Sequence, residues 1–376
     1  MTNAALATPD AQYPLELVFC PRCALVQTLP GLHVEEPSAT SERAEPRADA
    51  HDQRLALVAA RPLGPRSLVV GIGSDDGSML RHLAESGITV LGVEPSPDAA
   101  LTAAAAGVPT VTEPFDRDLA TKLRAGGLDA DVILASRLDV VEDLNQFVEG
   151  LRILVADHGA IVVETPYLLD VMDQVALGAV RHEQRSYFTC TSLDTLIRRH
   201  GLFLNDAEHV SDAPIGRLRC VLEPREALTE RCEELLAAER ARQVGELACY
   251  ADFDTRAHAV LRDLHKMLRS LRADGHTIAA YGAESGSVTL LNAGDVGADL
   301  VDFVVERDAS SHGLQVPGVR VPIVAPDALR HDEPDYLLVL SVARDGQARA
   351  DQEEFLAHGG MLIVLDPTPK VVGPLH

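Results

Sequence analysis

The segment Val69-Val70-Gly71-Ile72-Gly73-Ser74-Asp75-Asp76-Gly77 runs a short apolar stretch into a glycine-rich turn. Glycines at such a point let backbone N–H groups approach a ligand at the carboxyl end of a strand. Their spacing, G-x-G-x-x-x-G, is looser than the G-x-G-x-x-G of dinucleotide sites. Asp75 and Asp76 would repel a pyrophosphate but not a cation. Glu94 stands about 20 residues further on, where a carboxylate at the end of the next strand accepts from both ribose hydroxyls. The plainer alternative is a tight strand–helix turn followed by a surface glutamate.

Two further clusters carry chemistry. Val180-Arg181-His182-Glu183-Gln184-Arg185-Ser186-Tyr187-Phe188 crowds titratable groups together, and a His-Glu pair beside a cofactor edge can exchange protons. A solvated charged loop has the same composition. Cys20-x-x-Cys23 offers two metal ligands, but four are normally needed and the chain has no second such pair. Zinc is therefore not expected, and a reduced pair at a hairpin tip is the favoured reading. Cys190, Cys220, Cys232 and Cys249 lie in apolar or helical contexts and read as packing residues.

The elements that position these groups follow from periodicity. YPLELVFCPRCALVQTL reads as a hairpin with the cysteines at its tip, after twelve aperiodic residues. Residues 32–52 are polar and proline-interrupted, a long loop, and Gln53–Ala60 resumes a helical pattern. From Ser67 strands alternate with helices: SLVVGIG, SMLRHLAESG, ITVLGVEPS, DAALTAAAAG, ADVILAS, then a helix over LNQFVEGLRILVADHG and a strand over AIVVETP. Residues 224–273 have helical periodicity and one glycine, a connector of one or two helices. A second β-α-β pattern runs from HTIAAYGA to MLIVLDP. The expectation is an α/β chain of four parts: hairpin and loop (1–52), a first Rossmann-like domain (53–223), the helical connector (224–273) and a second α/β domain (274–376).

Composition narrows the partners. With 376 residues and a formal net charge of −24, the chain is a poor match for a nucleic-acid backbone or an anionic membrane. Aromatic residues are 4% and Trp is absent, so there is no platform for stacked bases. No apolar run approaches the ~20 residues of a membrane span, and the start of the chain lacks a signal-peptide pattern. A soluble cytoplasmic protein acting on a small molecule is expected.

Read together, these motifs resemble the C-methyltransferases that act on nucleotide-linked 4-keto-deoxysugars in antibiotic biosynthesis. G-x-G-x-x-x-G is the spacing of S-adenosylmethionine (SAM) methyltransferases. GIGSDDG resembles that family's E-I-G-S-N-D-G loop, and YPLELVFCPRCALVQ the second half of its N-terminal zinc module. GVEPSPDAA, DLNQFVEG, GAIVVETPYLLDV, SYFTCTSLDTLIRRHGL, AAYGA, TLLN, VDFVVERD, HGLQVPG and PDYLLVL follow in the family's order over almost the whole chain. The resemblance implies a SAM methyltransferase domain with a degenerate zinc-module remnant and a second Rossmann-like domain. SAM would then meet Gly71, Gly73, Ser74, Asp76, Gly77, Glu94, Pro95, Phe115 and Ser136. His182 and Glu183 would be the acid–base pair, and Arg137, Tyr167, Arg181, Gln184 and Tyr187 would face the acceptor.

The departures are equally specific. The family's Tyr-x-Tyr-x-Ser-Ser stretch corresponds to Glu36-Pro37-Ser38-Ala39-Thr40-Ser41, and its Tyr-His-Glu-His to Arg181-His182-Glu183-Gln184. Its Asn-Asn is Ser136-Arg137, and a nearby His is lost around Val140-Val141. Its His-Gly-Gly-Ser-Leu-Arg is Pro214-Ile215-Gly216-Arg217-Leu218-Arg219. The lysine of its Y-G-A-P-A-K-G loop is Gly286, beside Glu284, which would repel a diphosphate. Arg137 and Arg181 suit a carboxylate or an acidic enol, although a surface salt bridge is the commoner fate of an arginine. Three functions fit this pattern. The first is a C-methyltransferase acting beside a carbonyl on an acceptor other than an ordinary dTDP-sugar. The second is a SAM-binding relative that cyclises or rearranges a natural-product intermediate without methylation, and the third a non-catalytic partner protein.

Overall fold

A computed structural model describes residues 13–29, 61–211, 215–340, 350 and 352–374. The stretch expected as a long loop, the Gln53–Ala60 helix, Glu36–Ser41 and Pro214 lie outside the described residues. Strands β1 (Leu17–Phe19) and β2 (Val26–Thr28) form the antiparallel hairpin, with Cys20 and Cys23 in the turn between them. β8 (Ser186–Tyr187) adds to β2 as a third strand. The hairpin is thereby hydrogen-bonded to the loop that carries His182 and Glu183.

The first Rossmann-like unit is a seven-stranded sheet of order β5-β4-β3-β6-β7-β10-β9. Its members are β3 (Leu68–Ile72), β4 (Thr89–Val93), β5 (Thr110–Val111), β6 (Ala130–Ala135), β7 (Val155–Pro166), β9 (Phe203–Val210) and β10 (Arg217–Glu223). β5 to β7 run parallel through β4, β3 and β6, while β10 is antiparallel to both β7 and β9. β3 shows how the sheet is held: Val70 and Ile72 enter one apolar cluster and Val69 the other, on opposite faces. Covering helices include α1 (Ser78–Glu85), α2 (Pro97–Ala105), α3 (Arg117–Ala125), α4 (Leu144–Leu154), α5 (Leu168–Asp173) and α6 (Cys190–Arg198). The helix expected over 144–159 stops at Leu154, and β7 begins at Val155. The backbone turns extended at Val155 (φ −70°, ψ 138°), and Gly159 lets the strand close on β6, since a Cβ there would meet the Ala130 carbonyl oxygen at 2.6 Å.

The stretch 224–273 holds two helices, α7 (Glu230–Ala241) and α8 (Phe253–Ala273). The second unit is a six-stranded sheet of order β13-β12-β11-β14-β15-β16. It comprises β11 (Ile278–Tyr281), β12 (Val304–Val305), β13 (Ile323–Val324), β14 (Tyr336–Val339), β15 (Met361–Leu365) and β16 (Pro369–Val372), all parallel except β16. The antiparallel edge strand β16 has no counterpart in the sequence-based expectation. Helix α9 (Ser285–Ala293) follows β11, and its Gly286 packs backbone to backbone on Gly178 of the first unit. Any side chain at 286 would overlap the Gly178 carbonyl oxygen, so glycine is required for this closeness.

Candidate functional site: a cofactor cradle and the loop beside it

β3 ends at the point in the sheet where the connections diverge, with β4 on one side and β6 on the other, and ligands of open α/β sheets bind at such a point. The turn after β3 is left-handed at Gly73 (φ +64°), Asp75 (φ 50°) and Gly77 (φ +74°). Gly77 has a second reason to be glycine: a Cβ would meet Ala103 Cβ at 2.9 Å. Gly73 and Ser74 donate their N–H groups to the Val93 carbonyl at 2.9 and 3.4 Å, and Ser136 donates to Ile72 at 3.0 Å. These bonds lash three strand ends into one cradle. Gly71 lies within β3, where a Cβ would overlap the Leu80 side chain at 2.8 Å.

Glu94, only 9% exposed, holds the cradle from the end of β4. One carboxylate oxygen accepts the Asp75 N–H at 2.9 Å and the other the Ser96 N–H at 3.0 Å. A carboxylate has about four lone-pair sites, so both oxygens retain capacity for a ribose hydroxyl. Ser74 Oγ is buried without a hydrogen-bond partner, an orphaned polar atom in a cradle that Gly92 keeps open. Asp76 accepts the Ser78 N–H at 3.0 Å and so caps α1, while Asp75 is exposed. Pro95 is exposed at the rim, and Phe115 packs edge-on against Phe147 with 5.4 Å between ring centroids. Glycines, acceptor carboxylate and orphaned hydroxyl fit an adenosyl cofactor.

The second cluster lies where β8 joins the hairpin. His182 Nε2 lies 3.4 Å from the Pro14 carbonyl, and His182, Glu183 and Arg181 are all half-buried. Tyr187 is 1% exposed, its hydroxyl accepts the Arg181 N–H at 3.1 Å, and burial pushes its pKa up to about 12. Gln184 is buried, and its backbone carbonyl accepts the Thr28 hydroxyl at 3.2 Å. Arg137 is exposed and left-handed (φ 62°) directly beyond Ser136, an uncommon backbone for a non-glycine residue. Tyr167 is different. Its hydroxyl donates to Glu239 at 2.9 Å, and burial followed by the Glu239 charge drives its pKa far up. That bond makes Tyr167 a brace between the first unit and α7.

Several polar groups here escaped sequence reasoning. Glu239, 1% exposed, also accepts from Cys190 N (2.8 Å), Thr191 N (2.7 Å) and Thr191 Oγ1 (2.6 Å), anchoring the start of α6. Glu164 and Arg219 face each other across β7 and β10 as a buried pair at 2.6 Å. Asp170 accepts the Gly216 N–H at 2.7 Å and lies 2.8 Å from His209 Nε2. Asp139 is buried in the turn after β6, and its carboxyl pKa is raised by desolvation. The Arg22 backbone lowers the Cys20 thiol, while burial raises that of Cys23. Among the described residues no group of three or more His, Cys, Asp or Glu is arranged to hold a metal ion, and no helix is long and apolar enough to cross a membrane.

The chain is similar to known methyltransferases. Residues 43–205 match the family described as a methyltransferase domain, and residues 216–367 match the C-methyltransferase C-terminal domain. The C-methyltransferase NovU of Streptomyces niveus is 31% identical over 375 residues, spanning 96% of this chain and 88% of NovU. Among solved structures, a TehB-like SAM-dependent methyltransferase from Corynebacterium glutamicum aligns at 16% identity over 46% of this chain and 88% of that one, TM-score 0.35. A SAM-dependent methyltransferase from Anabaena variabilis aligns at 15% identity over 47% and 86%, TM-score 0.38. With SAM as its cofactor and an α/β fold of two Rossmann-like sheets, this chain belongs to the C-methyltransferase family that includes NovU.

Proposed function

We propose that the protein transfers the methyl group of SAM to a carbon made acidic by a neighbouring carbonyl, in a small natural-product acceptor that is not an ordinary dTDP-sugar. The observation that carries the reading is the cradle after β3, with Glu94 bonded to Asp75 and Ser96; the loop that carries His182 and Glu183 is tied to the turn following Ser136 and Arg137 by the Arg185 N–H on the Asp139 carbonyl at 2.9 Å. Bound SAM supplies an electrophilic methyl group on a sulfonium. Gly71, Gly73, Ser74, Asp76, Gly77, Glu94, Pro95, Phe115 and Ser136 hold it in this proposal. His182 or Glu183 takes the proton from the acceptor carbon, and a positioned base of this kind contributes typically 10²–10⁴-fold. Arg137, Arg181 and Gln184 orient the acceptor oxygens, with Tyr187 behind them. Both arginines suit a carboxylate or an enolate, where a guanidinium binds in bidentate fashion. Gly286 and Glu284 argue against a diphosphate, because neither offers it a positive charge.

The test is methyl transfer from radiolabelled SAM to a panel of 3-keto acids and 1,3-diketones, with dTDP-4-keto sugars alongside. The expected result is label in a carbonyl compound of the panel together with S-adenosylhomocysteine, lost in His182→Ala or Glu183→Gln. Transfer to the dTDP-sugars alone would overturn the acceptor assignment, and full activity in both variants would overturn the base.

A further inference from the structure

Cys20 and Cys23 share the tip of the β1–β2 hairpin, and both thiols are free and half-buried, whereas Cys190, Cys220 and Cys232 are buried. The Cys20 carbonyl accepts the Cys23 N–H at 3.3 Å and the Ala24 N–H at 2.8 Å, and the Cys20 N–H donates to the Leu25 carbonyl at 2.9 Å. A turn closed in this way holds the Cα atoms of its first and fourth residues within ~7 Å. Disulfides span Cα separations of about 4.4–6.8 Å, so the two sulfurs can join without unpicking the hairpin. The turn is also anchored: Ala24 is left-handed (φ 57°), and Leu25 and Val26 enter the core directly after it. Among the described residues no third His, Cys, Asp or Glu stands with the pair as a metal ligand, and a tetrahedral site needs four.

The two sulfurs are unequal. The Arg22 backbone N–H and then the Cys23 thiol donate toward the Cys20 sulfur and favour its thiolate, while burial holds the proton on Cys23. A more exposed thiolate beside a partly buried thiol is the arrangement of an attacking and a resolving cysteine. The tip also bears on the acceptor loop. β1 and β2 are three residues each, and so short a hairpin holds together weakly by itself. Yet β2 is the edge on which β8 forms, with Val26 opposite Tyr187 and Gln27 opposite Ser186, and the Thr28 N–H donates to the Arg185 carbonyl at 3.1 Å.

We propose that Cys20 and Cys23 are a dithiol–disulfide site that exchanges with small disulfides of the glutathione class and, when closed, firms the hairpin edge on which the acceptor loop rests. The Cys20 thiolate attacks one sulfur of the oxidised glutathione, its S–S bond breaks, and one glutathione thiolate leaves. The Cys23 thiol gives its proton to solvent, and its sulfur attacks the Cys20 sulfur of the mixed disulfide. The second glutathione thiolate leaves, and both leaving groups take up a proton. Cys20 and Cys23 are together oxidised by two electrons, and the glutathione disulfide is reduced to two thiols. The site is independent of the methyl-transfer reading and stands or falls without it.

The full chain, reduced and then incubated with oxidised glutathione with and without a chelator, is alkylated and its peptides are measured by mass spectrometry. The expected product is a Cys20–Cys23 disulfide that has lost alkylation at both sulfurs, carries no glutathione and is reopened by dithiothreitol. Cys23→Ser should retain glutathione on Cys20, and Cys20→Ser should take it up more slowly at Cys23. In hydrogen–deuterium exchange the Thr28 N–H should exchange more slowly in the oxidised chain than in the reduced one. Full alkylation of both cysteines after oxidation, or glutathione retained on the wild type, would overturn the proposal. So would thiols that resist both reagents until the chelator is added, the mark of a bound metal, or equal Thr28 exchange in the two states. If either variant does not fold, the wild-type measurements decide.

Discussion

Replacing Glu94 with Gln asks most of the cofactor cradle. The carboxylate accepts two backbone N–H groups, from Asp75 at 2.9 Å and Ser96 at 3.0 Å, through different oxygens. An amide has one oxygen, so one of these donors is left facing an NH₂ group. At a site only 9% exposed, an unsatisfied donor costs about 1–3 kcal/mol. For a unit of this size that lowers the melting temperature by about 2–4 °C for each kcal/mol. The effect on binding is separate. In the role proposed for Glu94, each ribose hydroxyl it accepts would be a hydrogen bond to a charged group, worth about 1.5–3 kcal/mol. Losing one weakens the cofactor roughly 10- to 150-fold at 1.4 kcal/mol per tenfold. Calorimetry with SAM and with S-adenosylhomocysteine, which share the ribose, should show losses of the same size for both. A folded Glu94→Gln protein that binds either ligand within about threefold of wild type would refute the role given to this carboxylate.

The remaining predictions concern buried acids. Glu239→Leu removes the acceptor for Tyr167, Cys190 and Thr191 together, and at about 1–3 kcal/mol per unsatisfied buried donor should cost several kcal/mol, read as a lowered urea midpoint; Glu239→Gln, which keeps one acceptor oxygen, should lose less. Asp139 has a folded pKa raised by burial, so the folded state holds its proton more tightly than the unfolded chain. Its stabilising contribution is complete below the unfolded carboxylate range and is lost as pH rises through the raised value. Asp139→Asn should therefore gain on the wild type in urea midpoint as pH rises above the ordinary carboxylate range of ~4, and parallel pH profiles would contradict this.

What could be read from sequence was local. Val69–Gly77 announces its strand and turn because the glycines meet needs that no other residue meets, a left-handed backbone at Gly73 and Gly77 and a close helix at Ala103. The Cys20–Cys23 tip is set by two short flanking runs, and the two long helices after residue 224 by their periodicity. What stayed hidden depends on distant partners. β8 is two residues long and exists because β2 offers it an edge. Glu239 sits among other acidic residues of α7, and nothing local marks it as the one that receives the α6 amides. The Glu164–Arg219 pair follows from the register of β7 on β10, and Tyr167 reads as an acceptor-facing aromatic until Glu239 is found at its hydroxyl. Nothing local marks Asp139; its burial is set by β7 and β8 folding over the turn.

The most direct test of the account is the fate of the methyl carbon. A purified full chain incubated with SAM carrying a ¹³C-labelled methyl group, and with a 3-keto acid it accepts, should yield a product whose label is bonded to the carbon beside the carbonyl, with one S-adenosylhomocysteine formed per product molecule. An unlabelled product, or one that forms equally well when S-adenosylhomocysteine replaces SAM, would contradict C-methylation.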